Sequence, residues 1–184
     1  CAMHNRRSIA TTMGFSTLDG LVMGTRCGSI DPGVLFYLMH EKGMASTDVE
    51  NMLYRQSGLL GLSEISNDMR TLLDSNAPQA RAAIDQFVYR AVLEAGALAA
   101  ALEGLDALIF TGGIGEHAGA VRAMICEKLA WLGIALDPAA NAGNAARISS
   151  AASRVSVCVI PTDEEMIIAQ HTRRLLQSAH AKVQ

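Results

Sequence analysis

Charge is scarce in this sequence. Asp, Glu, Lys and Arg make up 18% of its 184 residues, against about 25% in an ordinary soluble domain. Hydrophobic residues make up 50%, and the mean hydropathy is +0.23. That balance excludes a disordered chain and implies that some of the surface is covered by something outside the sequence. The net charge of −3 lacks the basic excess of a nucleic-acid-binding module. Long apolar runs are missing too. The longest, Ala95 to Leu102, is bounded by Glu94 and Glu103 and falls far short of the roughly 20 residues of a membrane span. No signal peptide is visible. Cys1, Cys27, Cys126 and Cys158 form no Cys-x-x-Cys pair, so they read as reduced thiols of a cytoplasmic protein, not as a disulfide frame or a zinc site. His4, His40, His117, His171 and His180 show no ligand spacing, and no Gly-x-Ser-x-Gly nucleophile motif occurs. There is no internal repeat.

What is present reads as α/β. Cys1 to His4 and Ser8 to Thr11 flank a tight turn, a hairpin that opens at residue 1. With no initiator methionine, the chain is expected to be a fragment or a processed product. Thr12 to Ser29 is rich in glycine, threonine and methionine without a helical period, and predicts a long structured loop of the functional kind. Asp31-Pro32 opens a helix that Gly43 stops. Thr47 to Glu50 is a capping box for a second helix ending near Gln56. Ser66 to Leu73 is a short helix, and Pro78 to Leu102 a long one with Ile84, Phe87, Val88, Ala91, Val92 and Ala95 on one face. Leu105 to Phe110 and Val155 to Ile160 are buried strands. Helices are expected from Glu116 to Trp131 and from Glu164 to Ser178. Asp137 to Ser153, rich in alanine, asparagine and serine, is the stretch with the weakest structural signal.

Chemistry has several candidate locations. Phe110 to His117 reads Phe-Thr-Gly-Gly-Ile-Gly-Glu-His, a buried strand feeding a glycine loop that opens a helix. Glycines let a ligand approach the backbone, and amides at a helix start favour an anion. Gly113-x-Gly115-x-x-Ala118, with Asp137 downstream, fits a dinucleotide fingerprint and so an NAD-dependent oxidoreductase. The same loop fits ATP, and it also fits a plain chain turn. Arg26 stands among small residues, where a guanidinium can clamp a phosphoryl group. It could equally pair with Asp19 or Asp31. Thr162-Asp163-Glu164-Glu165 suits helix capping as well as a Mg²⁺ site. Ser66 to Arg70 is a polar helix start whose Met69, with Ile65, could line an adenine pocket or simply the core.

These motifs, in this order, resemble the acetate kinase family, whose relatives are propionate and butyrate kinases. The pieces that carry the resemblance are Thr12 to Phe15, Leu18 to Leu21, Met23 to Pro32, Ser57 to Gly61, Ser66 to Arg70, Phe110 to Glu116 and Ile160 to Glu165. The resemblance implies the C-terminal lobe of an actin, sugar kinase and Hsp70-like (ribonuclease H-like) fold, a mixed sheet flanked by helices. Residues 1–184 would be that nucleotide-binding lobe, starting inside its first sheet after the family's glycine-asparagine-glycine phosphate loop. The N-terminal lobe would be absent. The activity implied is ATP plus acetate giving ADP plus acetyl phosphate, incomplete in a lone fragment. The alternatives are a propionate kinase or a non-catalytic nucleotide-binding lobe.

The resemblance also implies roles. Arg26 would be catalytic, acting on the transferring phosphoryl group and the acyl carboxylate. Asp68, Met69 and Arg70 would border the adenosine, with Gly113, Ile114, Gly115 and His117 on its other side. Glu164 would help to bind Mg²⁺ through water. His117 and Asp163 stand where asparagine is usual in the family. The implied cofactors are Mg²⁺ and ATP or ADP. The implied partners are a short carboxylate, the missing N-terminal lobe and a second copy in a homodimer, with no nucleic acid or membrane.

Overall fold

The chain enters as a β-hairpin whose turn requires left-handed backbone. The computed structural model describes residues 1–181, apart from the side chains of Glu164 and of residues 178–181. Strand β1 (Ala2–His4) pairs antiparallel with β2 (Arg7–Ala10). Asn5 (φ 50°) and Arg6 (φ 63°) form the connection, the paired positive φ values that a two-residue hairpin turn requires. Residues 11–31 then run without helix or strand, as the glycine-rich composition predicts.

Helix α1 (Pro32–His40) starts as expected, with the Asp31 carboxylate accepting from Gly33 N at 2.7 Å and Pro32 in the first turn. It buries none of its residues and lies against α2 (Ser46–Arg55). The expected capping box does not form. Thr47 lies inside α2, and the N-cap is Ala45, which offers no side-chain acceptor. Helix α3 (Gly58–Ser63) was not legible, because Gly58 and Gly61 hide the helical pattern of Leu59, Leu60 and Leu62. Helix α4 (Met69–Leu73) is shorter than expected, since Asp68 caps it by accepting from Arg70 N.

Helix α5 (Pro78–Ala101) organises the core. Its Ala80, Ala83, Ile84, Phe87 and Val88 are buried, recurring at the three- and four-residue spacing that puts side chains on one face. Ala91, Val92 and Ala95 continue that face, partly buried. Against it pack α3, α4, α7 (Gly119–Lys128) and the hairpin. Leu59, Leu72, Leu129, Ile148 and Val157 are fully buried in the same core, each stabilising it by about 1.5–3 kcal/mol.

Strands β3 (Ala107–Phe110) and β4 (Ser156–Val159) pair in parallel, Ala107 opposite Ser156 and Phe110 opposite Val159. Among the described residues the sheets are thus two separate pairs, the hairpin and β3–β4, rather than one mixed sheet. The glycine segment after β3 is itself helical: α6 (Gly112–His117) ends at Ala118, whose φ of −100° and ψ of 76° separate it from α7. One continuous helix from Glu116 was expected. A 3₁₀ turn over Ala130–Leu132 follows.

Residues 137–153 are better ordered than their composition predicts. Asp137 accepts from Ala139 N and Ala140 N to start α8 (Pro138–Ala142). Leu136 then bridges Ser149, Arg147 bridges Cys158, and Ile148 is wholly buried. Small side chains made this stretch look weak, but a cap and a proline in the first turn are enough to start a helix. Helix α9 (Glu164–Ala181) closes the chain, with Met166, Ile167, Ile168 and Leu175 exposed. Among the described residues no helix is long and apolar enough to cross a membrane.

Candidate active site

Backbone hydrogen bonds hold the loop that carries Arg26. Ser57 N donates to Thr25 O (3.0 Å), Leu59 N to Met23 O (2.9 Å), Leu60 N to Gly24 O (2.9 Å) and Cys27 N to Leu53 O (3.2 Å). The Thr25 hydroxyl donates to Tyr54 O at 2.9 Å. Gly58 permits this close approach. Its φ is +64°, and a Cβ there would run into the carbonyl oxygens of Met23 and Arg26, so only glycine fits.

Arg26 is half-buried. Its Nη1 donates to Thr17 O at 3.3 Å, and its guanidinium lies 5.9 Å from the centre of the Tyr54 ring. The alternative of an ion pair with Asp19 or Asp31 is not realised: among the described residues the ion pairs are Arg81–Asp85 and Arg90–Glu94. Asp19 instead accepts from the Ser29 hydroxyl (2.6 Å) and Gly20 N (2.9 Å). Ser29 first, then Gly20, hold its carboxyl below the usual value, against a small opposing effect of burial. Asp31 caps α1. A depression of about 540 Å³ opens beside Arg26, lined also by Thr25, Glu50, Asn51, Tyr54 and Arg55. Tyr54 and Arg55 were not singled out from sequence, because on a polar helix such residues look like ordinary solvated surface.

Asp68, Met69 and Arg70 lie next to this loop. A Cβ on Gly24 would come within 3.0 Å of Asn67 O. Met69 is buried in the core, so its side chain packs inward, while Asp68 and Arg70 are exposed.

The second group surrounds α6. Gly112 has φ +72°, and a Cβ on Gly112 or Gly113 would meet nothing among the described residues within 4 Å. That edge is open to a ligand, as a nucleotide would need. Gly115 is different: its Cα packs on Phe110, 3.3 Å from its carbonyl carbon to an added Cβ. Ile114 is half-buried against the core, and His117 is exposed. The first amide of α6 is not free for an anion, as the glycine loop had led us to expect. Gly112 N donates to Glu116 Oε1 at 2.8 Å. The same oxygen accepts from Thr162 N (2.9 Å) and the Thr162 hydroxyl (3.0 Å). The Thr162 amide is the largest of the contacts that lower the Glu116 pKa, joined by the Thr162 hydroxyl, Gly112 and nearby His117 and opposed by burial.

At its other end α6 is held by Arg122, which is wholly buried and has no carboxylate partner among the described residues. Its Nη1 donates to Gly115 O (2.9 Å) and Glu116 O (2.8 Å), and its Nε and Nη2 to the side-chain and backbone oxygens of Asn141 (both 2.8 Å). Nη2 also reaches Asn144 Oδ1 at 2.6 Å. Burial lowers the Arg122 pKa from its ordinary value, with Cys126 opposing slightly. Beside it, burial pushes the Cys126 thiol up to about 12. Sequence reading missed Glu116, Arg122 and Asn141. The Gly-Ile-Gly-Glu run pointed to Glu116, whereas nothing local marks Arg122 as buried.

Asp137, the acid of the dinucleotide fingerprint, is occupied in capping α8, and that reading loses its ribose contact. Glu164 opens α9, but its side chain lies outside the described residues. Neighbouring Asp163 accepts from Met166 N at 2.9 Å. Among the described residues no three His, Cys, Asp or Glu side chains converge. A single acid suits a Mg²⁺ ion held mainly by phosphates and water. The predicted residues therefore fall into two groups, the Arg26 loop with Asp68 to Arg70, and α6 with the start of α9. In the first group α4 packs on α5; in the second α6 packs on α7, which itself packs on α5.

Comparison with known proteins identifies the family. The chain is 61% identical over 177 residues to an acetate kinase of Rhodopseudomonas palustris strain TIE-1, covering 95% of this chain and 44% of that protein. It is 58% identical to an acetate kinase of Nitrobacter hamburgensis, again covering 44% of the relative. The chain thus spans less than half the length of these relatives. Its fold superposes on a Porphyromonas gingivalis acetate kinase with a TM-score of 0.86 at 37% identity, covering 94% of this chain and 45% of the other. A Francisella tularensis propionate kinase gives the same TM-score at 42% identity, covering 92% and 44%. Such neighbours establish the α/β lobe of an actin and sugar kinase type of fold. With residues 1–170 matching the profile of the Acetokinase family, the chain belongs to that family.

Proposed function

We propose that residues 1–184 are the C-terminal, nucleotide-binding lobe of an acetate kinase, completed by an N-terminal lobe across a cleft. The reaction is ATP plus acetate giving ADP plus acetyl phosphate. The observation that carries this reading is Arg26: half-buried, without an ion pair among the described residues, and fixed through its backbone. A cation held this way is preorganised for charge that develops in the transition state.

In such a transfer the phosphoryl group moves in line between two oxygens, and the protein contributes mainly positioning and electrostatics. Arg26 takes the equatorial oxygens and helps to orient the acyl carboxylate through its planar fork. Asp68 and Arg70, with the backbone at Met69, border the adenosine on one side. Gly113, Ile114, Gly115 and His117 border it on the other, and the open edge at Gly112 and Gly113 leaves room for close approach. Glu164 would help to hold Mg²⁺ through water, and the ion would supply charge neutralisation on the phosphates. The protein works in the cytoplasm, in keeping with its free cysteines. It pairs with a second copy, in keeping with exposed Phe36 and Tyr37 on α1.

Propionate is the second reading for the acceptor, favoured by the likeness to a propionate kinase structure. The test is intact mass of the purified sample, followed by trapping of the acyl phosphate with acetate or propionate as acceptor. Acetyl phosphate formed by a sample containing a second polypeptide is the expected result. ADP binding without turnover by the 184-residue chain alone points to a non-catalytic lobe. No adenine nucleotide binding in either sample refutes the kinase reading.

A further inference from the structure

The last backbone rung between β3 and β4 is Ile160 N donating to Phe110 O at 2.9 Å. Beyond it the chains part, one entering α6 and the other running through Pro161 to Asp163 into α9. Glu116 supplies the next rung with a side chain, its Oε1 accepting from Gly112 N, Thr162 N and the Thr162 hydroxyl. We propose that Glu116 is a positioning residue for phosphoryl transfer: it fixes the Gly112–His117 turn against the segment that delivers Glu164.

This rests on the function proposed above and adds to it a residue that touches neither substrate nor metal. Packing does not set the turn from its open side, since among the described residues nothing lies within 4 Å of a Cβ built on Gly112 or Gly113. A six-residue helix does not hold itself together in water. Two side chains fix it instead, a carboxylate on its first amide and the Arg122 guanidinium on its last carbonyls, each sign matched to the helix dipole. Arg122 anchors α6 to α8, inside the lobe. Glu116 anchors it to the approach to α9. A nucleotide lying between Gly113 and Glu164 needs those two at a fixed separation, and misplacement by about 1 Å can cost about 10²-fold in rate.

The experiment uses the intact enzyme that contains this chain, with Glu116→Ala, Glu116→Gln, Thr162→Val and the Glu116→Ala/Thr162→Val double variant. The readouts are ADP affinity by calorimetry, KM and kcat, and the thermal midpoint. Glu116→Ala is expected to lower kcat by about 10- to 100-fold, with KM for the carboxylate unchanged. Glu116→Gln recovers most of the loss, because its amide oxygen accepts from the same N–H groups. Thr162→Val loses a few-fold alone and adds little to Glu116→Ala, since both break one network. Parental kcat in Glu116→Ala overturns the proposal, as does Glu116→Gln being equally impaired. If Glu116→Ala does not fold, Thr162→Val decides, and parental kinetics there overturn the proposal as well. A parent enzyme that binds no ADP overturns the kinase reading and this role with it, a result distinct from a parent that binds and a variant that matches it.

Discussion

The Arg26 loop and the α6 turn face ligand in the same reading but are built by opposite means. The loop has no regular structure, yet its backbone is bonded directly to the junction of α2 and α3, with Gly58 removing the Cβ that would keep them apart. The turn is regular but short. Two ionised side chains hold it, Glu116 on one end and Arg122 on the other. A segment fixed through its backbone leaves its side chains free for chemistry, and Arg26 is such a side chain. A segment fixed by side chains leaves room beside its backbone, and the space at Gly112 and Gly113 is where the proposed nucleotide would approach.

The sharpest way to separate the two is to remove their arginines. Arg26→Ala in the complete enzyme should lower turnover by about 10²–10³-fold with little change in ATP affinity, read by steady-state kinetics. Equal turnover would return Arg26 to a packing role. Arg122→Leu should instead unfold rather than slow. It strands the carbonyl oxygens of Gly115, Glu116 and Asn141 and the side-chain oxygens of Asn141 and Asn144, and should cost about 3 kcal/mol or more of stability, read by denaturant unfolding. A pair of glycines gives a smaller contrast. Gly58→Ala should destabilise by about 1–3 kcal/mol, whereas Gly113→Ala, in open space, should leave the thermal midpoint alone and weaken only nucleotide binding.

The smallest effect concerns pH. The folded-state pKa of Asp19 lies below its ordinary 3.8, so its contribution to the Arg26 loop is complete above that value. It is lost as pH falls through the lower folded-state value. The stability difference between parent and Asp19→Asn should therefore hold from neutral pH down to the ordinary value of 3.8 and shrink on further acidification. A constant difference would assign the effect of Asp19 to shape rather than charge.

Sequence showed the loop region well and the turn region poorly. Asp31-Pro32 and the apolar face of α5 are local patterns, and the structure follows them, whereas the Gly-Gly-Ile-Gly run reads as a loop and is helical. What failed was non-local. The helix over Gly58–Ser63 forms where its backbone meets Met23 and Gly24, a contact no local propensity encodes. Residues 137–153 gain their order from Arg122, Cys158 and the core. Of the proposed site, Arg26, Asp68 to Arg70 and Gly113 to Gly115 stand out as motifs in the sequence. The clamp by Glu116 does not, because its partner Thr162 lies far along the chain.

That separation also bears on folding kinetics. The parallel β3–β4 ladder joins segments about 50 residues apart, and closing so long a loop costs entropy before any rung forms. Helix α5 and its neighbours α3 and α4 are close in sequence and can associate early. The strand pair, and with it the Glu116 rung beyond its end, belongs to the late steps. On this topology the packed interior is expected to form before the proposed nucleotide site.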